Sequence, residues 1–140
     1  MAVIANLSIN DGKAPTPTTH IFKPFTTNPE ALYKRTDVVD QPAVAWESVV
    51  AKITFPAKPE NANIATLQLV IPVLEAPTSS GAATGYVAPP KIAHELRFVG
   101  KFYMSNRSLT AQRTDLRVMV SNMLKDPQIV DLLDNLTPPN

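Results

Sequence analysis

With 140 residues, 44% of them hydrophobic and 18% charged, the chain is long enough to bury one core and too short for two, and its composition excludes disorder throughout. It contains no cysteine, which excludes a disulfide framework, a thiolate metal site and a cysteine nucleophile; no stretch approaches the roughly 18 uninterrupted apolar residues of a membrane helix, so no membrane partner is expected. A formal net charge of +1 leaves a nucleic-acid partner open, because what matters is whether the basic groups share a face.

The opening Met1-Ala2-Val3-Ile4-Ala5-Asn6 lacks the basic region of a secretory signal, so synthesis in the cytoplasm is expected. Fourteen prolines against four glycines predict many short, bounded strands, since proline ends strands and blocks their edges. Val3 to Ile9 alternates Ala5, Leu7 and Ile9 against Asn6 and Ser8 and runs into Asn10-Asp11-Gly12, a hairpin signal. The return strand is expected over Thr18 to Lys23, bounded by Pro15, Pro17 and Pro24, which places the hairpin at a sheet edge. Beyond the turn Thr26-Thr27-Asn28-Pro29, a short strand is expected over Ala31 to Thr36, then a loop through Asp40-Gln41-Pro42.

Ser48 to Pro56 sets Val49, Ala51, Ile53 and Phe55 on one face against Ser48, Lys52 and Thr54, with Val50 the exception. Across the turn Lys58-Pro59-Glu60-Asn61, Ile64 to Leu74 sets Ala65, Leu67, Leu69 and Ile71 against Thr66 and Gln68, and the two strands are expected to pair. Pro77 to Pro90 is a Thr-, Ser-, Gly- and Ala-rich loop of about fourteen residues, longer than ordinary connections within a domain. Lys91 to Met104 is a long strand with Ile92, His94, Leu96, Phe98, Phe102 and Met104 on one face and Glu95, Arg97 and Lys101 on the other. Gly100 inside it predicts a bulge or a close backbone approach.

From Ser105 to Leu136 the period changes to helical: Leu109, Leu116, Met119, Val120, Met123 and Leu124 recur at three-, four- and seven-residue spacings. The pattern breaks at Lys125-Asp126-Pro127, where Asp126 suits an N-cap and Pro127 the first helical position. A second helix then carries Ile129, Val130, Leu132, Leu133 and Leu136 and stops at Thr137-Pro138-Pro139. Strands first and helices last give an α+β class: an antiparallel sheet with one apolar and one polar, mostly basic face, and helices that offer a matching apolar surface. The link from Ser105 to Arg107 is so short that the helices cover their own sheet only if the chain reverses sharply. The alternative is an intertwined dimer in which each subunit covers the other's sheet.

Three segments carry a resemblance. Arg113-Thr114-Asp115-Leu116, Asp126-Pro127-Gln128-Ile129-Val130-Asp131 and Asp134-Asn135-Leu136-Thr137-Pro138 resemble the C-terminal helices of coat proteins from the single-stranded RNA bacteriophages, the leviviruses. The early hairpin, the strand pair around Lys52 to Leu74, the long loop and the final strand follow that family's order. The resemblance implies one coat protein domain over 1–140, with an N-terminal hairpin (1–24), a five-stranded antiparallel sheet (31–104) and two C-terminal helices (105–136) interlocking with a second subunit. It also implies a homodimer that assembles into an icosahedral shell in the bacterial cytoplasm, a virion location, and viral single-stranded RNA and the phage maturation protein as partners. The bare sheet face would look inward and hold RNA, including a translational-operator hairpin. The long loop, between the sixth and seventh strands, would gather at the shell's symmetry axes through Thr78, Ser79, Ser80, Gly81, Gly85 and Tyr86. The dimer interface would involve Leu109, Leu116, Met119, Val120, Met123, Ile129 and Leu133.

By strand parity and alignment, Lys52, Thr54, Lys58, Thr66, Gln68, Glu95 and Arg97 fall on the polar face. Cations there would displace counterions from phosphates while polar groups read exposed bases; the bland alternative is a solvated sheet face, common in antiparallel sheets. Two departures from the family stand out. Ala93 occupies the place where several members stack an unpaired operator base on a ring, and the loop lacks the cysteines that join some shells covalently. Catalysis is not expected. His20 and His94 lie in strands without a neighbouring serine or carboxylate pattern, and His94 reads as a packed core histidine. Asp131 with Asp134, and Asp37 with Asp40, read as solvated pairs, and Trp46 and Tyr103 as packing residues. No metal set, phosphate-binding glycine loop or cofactor site is evident. The alternative from another class is a β-rich surface binding module with no RNA role.

Overall fold

The alternating stretches form six strands: β1 (Leu7–Asn10), β2 (Thr19–Thr26), β3 (Ala31–Lys34), β4 (Ser48–Thr54), β5 (Ala62–Leu74) and β6 (Ile92–Ser105). The computed structural model describes residues 4–27, 30–58, 61–75 and 89–139. The strands make one sheet in chain order, β1-β2-β3-β4-β5-β6, antiparallel at each of the first four pairings. Helices α1 (Thr110–Met123) and α2 (Pro127–Asp134) follow, and a 3-10 turn, Ala43–Ala45, sits in the link before β4.

A hairpin plus a separate five-stranded sheet makes seven strands, whereas the described residues hold six. The difference lies in β2, which serves both. Its first half pairs with β1, from Leu7↔Phe22 to Asn10↔Thr19, and its second half pairs with β3 through Lys23↔Lys34 and Pro24↔Tyr33. Pro24, expected to end the strand, lies within it, beside a register shift between Pro24 and Thr26, where a ladder is already interrupted and a missing N–H is tolerated. The long loop therefore joins the fifth and sixth strands. Its residues Thr78, Ser79, Ser80, Gly81, Gly85 and Tyr86 lie outside the described residues, as do Asn28-Pro29 and Pro59-Glu60 of the expected turns.

The β1–β2 hairpin sits at the sheet edge as its prolines predict, but it closes through residues 11–18 and not through a two-residue turn. The Asp11 carboxylate accepts from Lys13 N at 3.1 Å and Thr18 N at 2.8 Å, and Asp11 N donates to Thr18 O at 3.0 Å. One short acidic side chain thus satisfies two backbone N–H groups at either end of the loop.

The chain divides into two compact units, Met1–Phe55 with Ile64–Tyr103, and Pro56–Asn63 with Met104–Asn140. In the first, Phe22 and Ala45 are each 1% exposed and Val49 is buried too. Part of the apolar face is open: Phe55 is 70% exposed, and Ile53, Leu67, Leu96 and Phe98 are exposed too, while Leu69, Ile71 and Phe102 are half-buried. Gly100 does not interrupt β6. The Phe98 ring lies over it, so that a Cβ there would stand 2.7 Å from Phe98 Cζ; the close approach is by an aromatic side chain from the same strand face.

In the second unit, Gln112 Oε1 accepts from Leu109 N at 2.9 Å and closes the start of α1. Asp126 accepts from Gln128 N at 3.0 Å with Pro127 at the first helical position, the start that the sequence predicts. Asn63 Nδ2 donates to Asn106 Oδ1 at 2.7 Å, fastening the start of β5 to the segment that leads into α1. Neither helix has a buried residue.

Candidate nucleic-acid interface

Residues directly opposite in an antiparallel ladder lie on the same sheet face, so the register fixes which side chains share a surface. Lys52 stands opposite Thr66, Val50 opposite Gln68, and Thr54 opposite Ile64. Lys52, Thr54, Thr66 and Gln68 therefore share one face. The ladder extends it across Lys34↔Ser48 and Leu32↔Val50 on β3, and then across Lys23↔Lys34 on β2. Three lysines from three strands, Lys23, Lys34 and Lys52, thus lie on that surface. The first two escape sequence reasoning because β3 is only four residues long, too short for parity to mark a face without its register.

The remaining sequence-predicted residues are placed differently. Arg97 Nη2 and Glu95 Oε1 form an ion pair along β6, so the guanidinium is already balanced by a neighbour. Lys58 is exposed, in the β4–β5 turn of the second unit.

Lys34 also meets aromatic rings. Its Nζ lies 4.9 Å from the Phe25 ring centroid and 5.9 Å from that of Trp46, within cation–π range, and the two rings meet edge to face at 6.3 Å and 60°. Trp46 is thus a packing residue, as expected, but Phe25 beside it remains 54% exposed.

On the opposite side of β2 parity, His20 corrects the expectation that it lacks carboxylates. Its Nδ1 lies 2.7 Å from Glu47 Oε2 and its Nε2 3.2 Å from Asp11 Oδ2. Arg35 joins the cluster, 3.4 Å from Glu47 Oε1 and 3.1 Å from Asp37 Oδ1. Arg35 Nη1 also approaches His20 Nδ1 at 2.7 Å, so that nitrogen either donates to Glu47 or accepts from Arg35, according to its protonation. The network ties the hairpin loop to β2, β3 and the start of β4. The backbone N–H of Thr18, more than any other group, holds the Asp11 carboxyl down at about 2, with Lys13 N–H and His20 adding to the effect. His94 is exposed and not the core residue expected, and Tyr103 is exposed as well. Among the described residues no group of three or more His, Cys, Asp or Glu is placed to hold a metal ion, and no helix is long and apolar enough to cross a membrane.

The fold has close counterparts among solved structures. It resembles the virus-like particle of bacteriophage ESE058, with a TM-score of 0.88 and 18% identity over 99% of this chain and 100% of that one. Bacteriophage NT-214 gives 0.82 and 22%, over 99% and 100%, and Beihai levi-like virus 21 gives 0.82 and 16%, over 99% of each chain. At such identities the likeness is one of fold. No curated protein matches the sequence. The profile of the Levivirus coat protein family, however, matches residues 2–139, nearly the whole chain, and on that ground the chain belongs to the Levivirus coat protein family and is a structural capsid protein, not an enzyme.

Proposed function

We propose that this coat protein is one domain that forms an interlocked homodimer through α1 and α2, and that dimers assemble in the bacterial cytoplasm into the icosahedral shell of a virion. The observation that carries this reading is the open apolar surface of the helices. No residue of either is buried within the chain, and Met119 and Leu133 are 69% and 58% exposed. Apolar surface of that extent is ordinarily covered by a partner. Leu109, Leu116, Met119, Val120, Met123, Ile129 and Leu133 supply the cover between subunits. Thr78, Ser79, Ser80, Gly81, Gly85 and Tyr86 gather at the symmetry axes of the shell.

The polar sheet face holds viral single-stranded RNA through Lys52, Thr54, Thr66 and Gln68, with Lys58, Glu95 and Arg97 contributing beyond them. Lysines gathered on one surface bind a polyanion by releasing its counterions. Repression of translation through an operator hairpin belongs to the same reading, with Ala93 requiring that recognition rest on groups other than a ring at that position. The maturation protein is a further partner of the shell.

Expression in a bacterial host tests the whole. Isometric particles by electron microscopy that contain co-purifying RNA are expected. Small soluble species free of RNA would favour a surface binding module instead.

A further inference from the structure

Two observations on the lysine-bearing face point to one kind of occupant. Lys23 stands directly opposite Lys34, and like charges at about 4.5–5.5 Å between Cβ atoms repel. Among the described residues neither has a carboxylate within ion-pair distance, so none of them supplies the pair with a counter-charge. Beside it, Phe25 is 54% exposed and lies under the Lys34 ammonium at 4.9 Å. An open ring next to two facing lysines on the sheet surface suits a molecule with a flat apolar face and a nearby anion.

We propose that Phe25, Lys23 and Lys34 form a subsite for a single unpaired nucleotide of RNA: the base stacks on Phe25, and the adjoining phosphate sits between the two ammonium groups. This rests on the reading of the lysine face as an RNA surface, and it assigns stacking to a position other than Ala93, which carries no ring. A paired base cannot present its face to a side chain, whereas an unpaired one can. The Lys34 stem is long, so its ammonium leaves the ring for the phosphate as the base arrives. Trp46, edge to face with Phe25 at 6.3 Å, backs the platform. The relief of repulsion between Lys23 and Lys34 adds to affinity only when the anion is bound.

Trp46 is the only tryptophan in the chain, so its emission reports on this place alone. The full-length protein is titrated with a fluorescein-labelled single-stranded oligoadenylate and with an RNA duplex of equal length, following anisotropy and Trp46 emission together. Expected are a change of Trp46 emission with the single strand but not with the duplex, a loss of about 10-fold in single-strand affinity for Phe25→Leu, and its recovery in Phe25→Tyr. Particle formation by each variant checks that it folds. Binding of the single strand with unchanged emission and no effect of Phe25→Leu would overturn the subsite and leave the RNA surface intact. Equal emission changes with the duplex would overturn it too, since phosphate alone would then suffice. An emission change on assembly without RNA would show that another subunit covers the ring, with the same consequence. Failure of the wild-type protein to bind either RNA would instead remove the RNA reading on which the subsite depends.

Discussion

Lys23 and Lys34 face one another across the β2–β3 ladder, two cations at a position where opposite charges would stabilise the sheet. Their repulsion costs up to about 1 kcal/mol in the RNA-free protein. Lys23→Glu is therefore expected to raise the denaturation midpoint of RNA-free protein and to lower its affinity for single-stranded RNA. Urea unfolding and anisotropy on the same preparation check both; a loss of stability in the variant would show that the pair is not strained.

Lys52 shares the face of Thr54 and Thr66, and Lys58 follows in the next turn. Replacing both with Ala should lower the RNA content of purified particles and reduce the slope of log affinity against log salt by about 0.7 for each phosphate that a lysine no longer neutralises. An unchanged slope would show that neither lysine touches phosphate.

Asp11 closes the hairpin loop as a carboxylate held at about 2, below its ordinary 3.8, chiefly by Thr18 N–H. Because the folded-state value is the lower one, the charged form contributes stability above the unfolded value and loses it as pH falls through the folded value. Asp11→Ala should therefore lower the melting temperature at neutral pH, and the deficit should shrink between about pH 4 and pH 2. Melts of both proteins across that range measure it, and a deficit constant with pH would assign the effect to something other than the charge.

The helices offer apolar residues that their own chain leaves uncovered. Truncation at Lys125, which removes α2, is expected to abolish the soluble dimer and not merely to trim a tail, and Met119→Asp to block particle formation while helix content persists. Size-exclusion chromatography with light scattering decides the matter, since a stable soluble truncated monomer would rule out a clasp.

Gly100→Ala would set a Cβ 2.7 Å from Phe98 Cζ and turn that exposed ring aside, at a cost no greater than about 0.5–1.5 kcal/mol for a displaced side-chain rotamer. Phe98→Leu in the same chain should recover part of that loss, because the two residues touch and their effects do not add. Equal losses with and without the second change would mean that the backbone, and not the ring, resists the methyl group.

Much of this protein was legible in its residues. Period-two alternation located β4, β5 and β6 because each is long enough to repeat its pattern, and Asp126-Pro127 fixed the start of α2 because N-cap and N1 preferences are local. The helical segments also carried the family resemblance that the match over residues 2–139 bears out. What remained hidden depended on pairing between distant segments. The double role of β2 could not be read from Pro24, which ordinarily ends a strand and is tolerated here only beside a register shift. The His20–Glu47 and His20–Asp11 interactions join positions 27 and nine residues apart, and no local pattern announces them.

The sequence by itself determined the class, the order of elements, the face to which Lys52, Thr54, Thr66 and Gln68 belong, and the uncommitted apolar surface of the helices, since each follows from periodicity, capping and turn preferences acting within one segment. Only the tertiary structure decided that Lys23 and Lys34 join that face beside Phe25 and Trp46. Strand register is set by hydrogen bonding between segments, and a shift of one residue would send every one of those side chains to the other side.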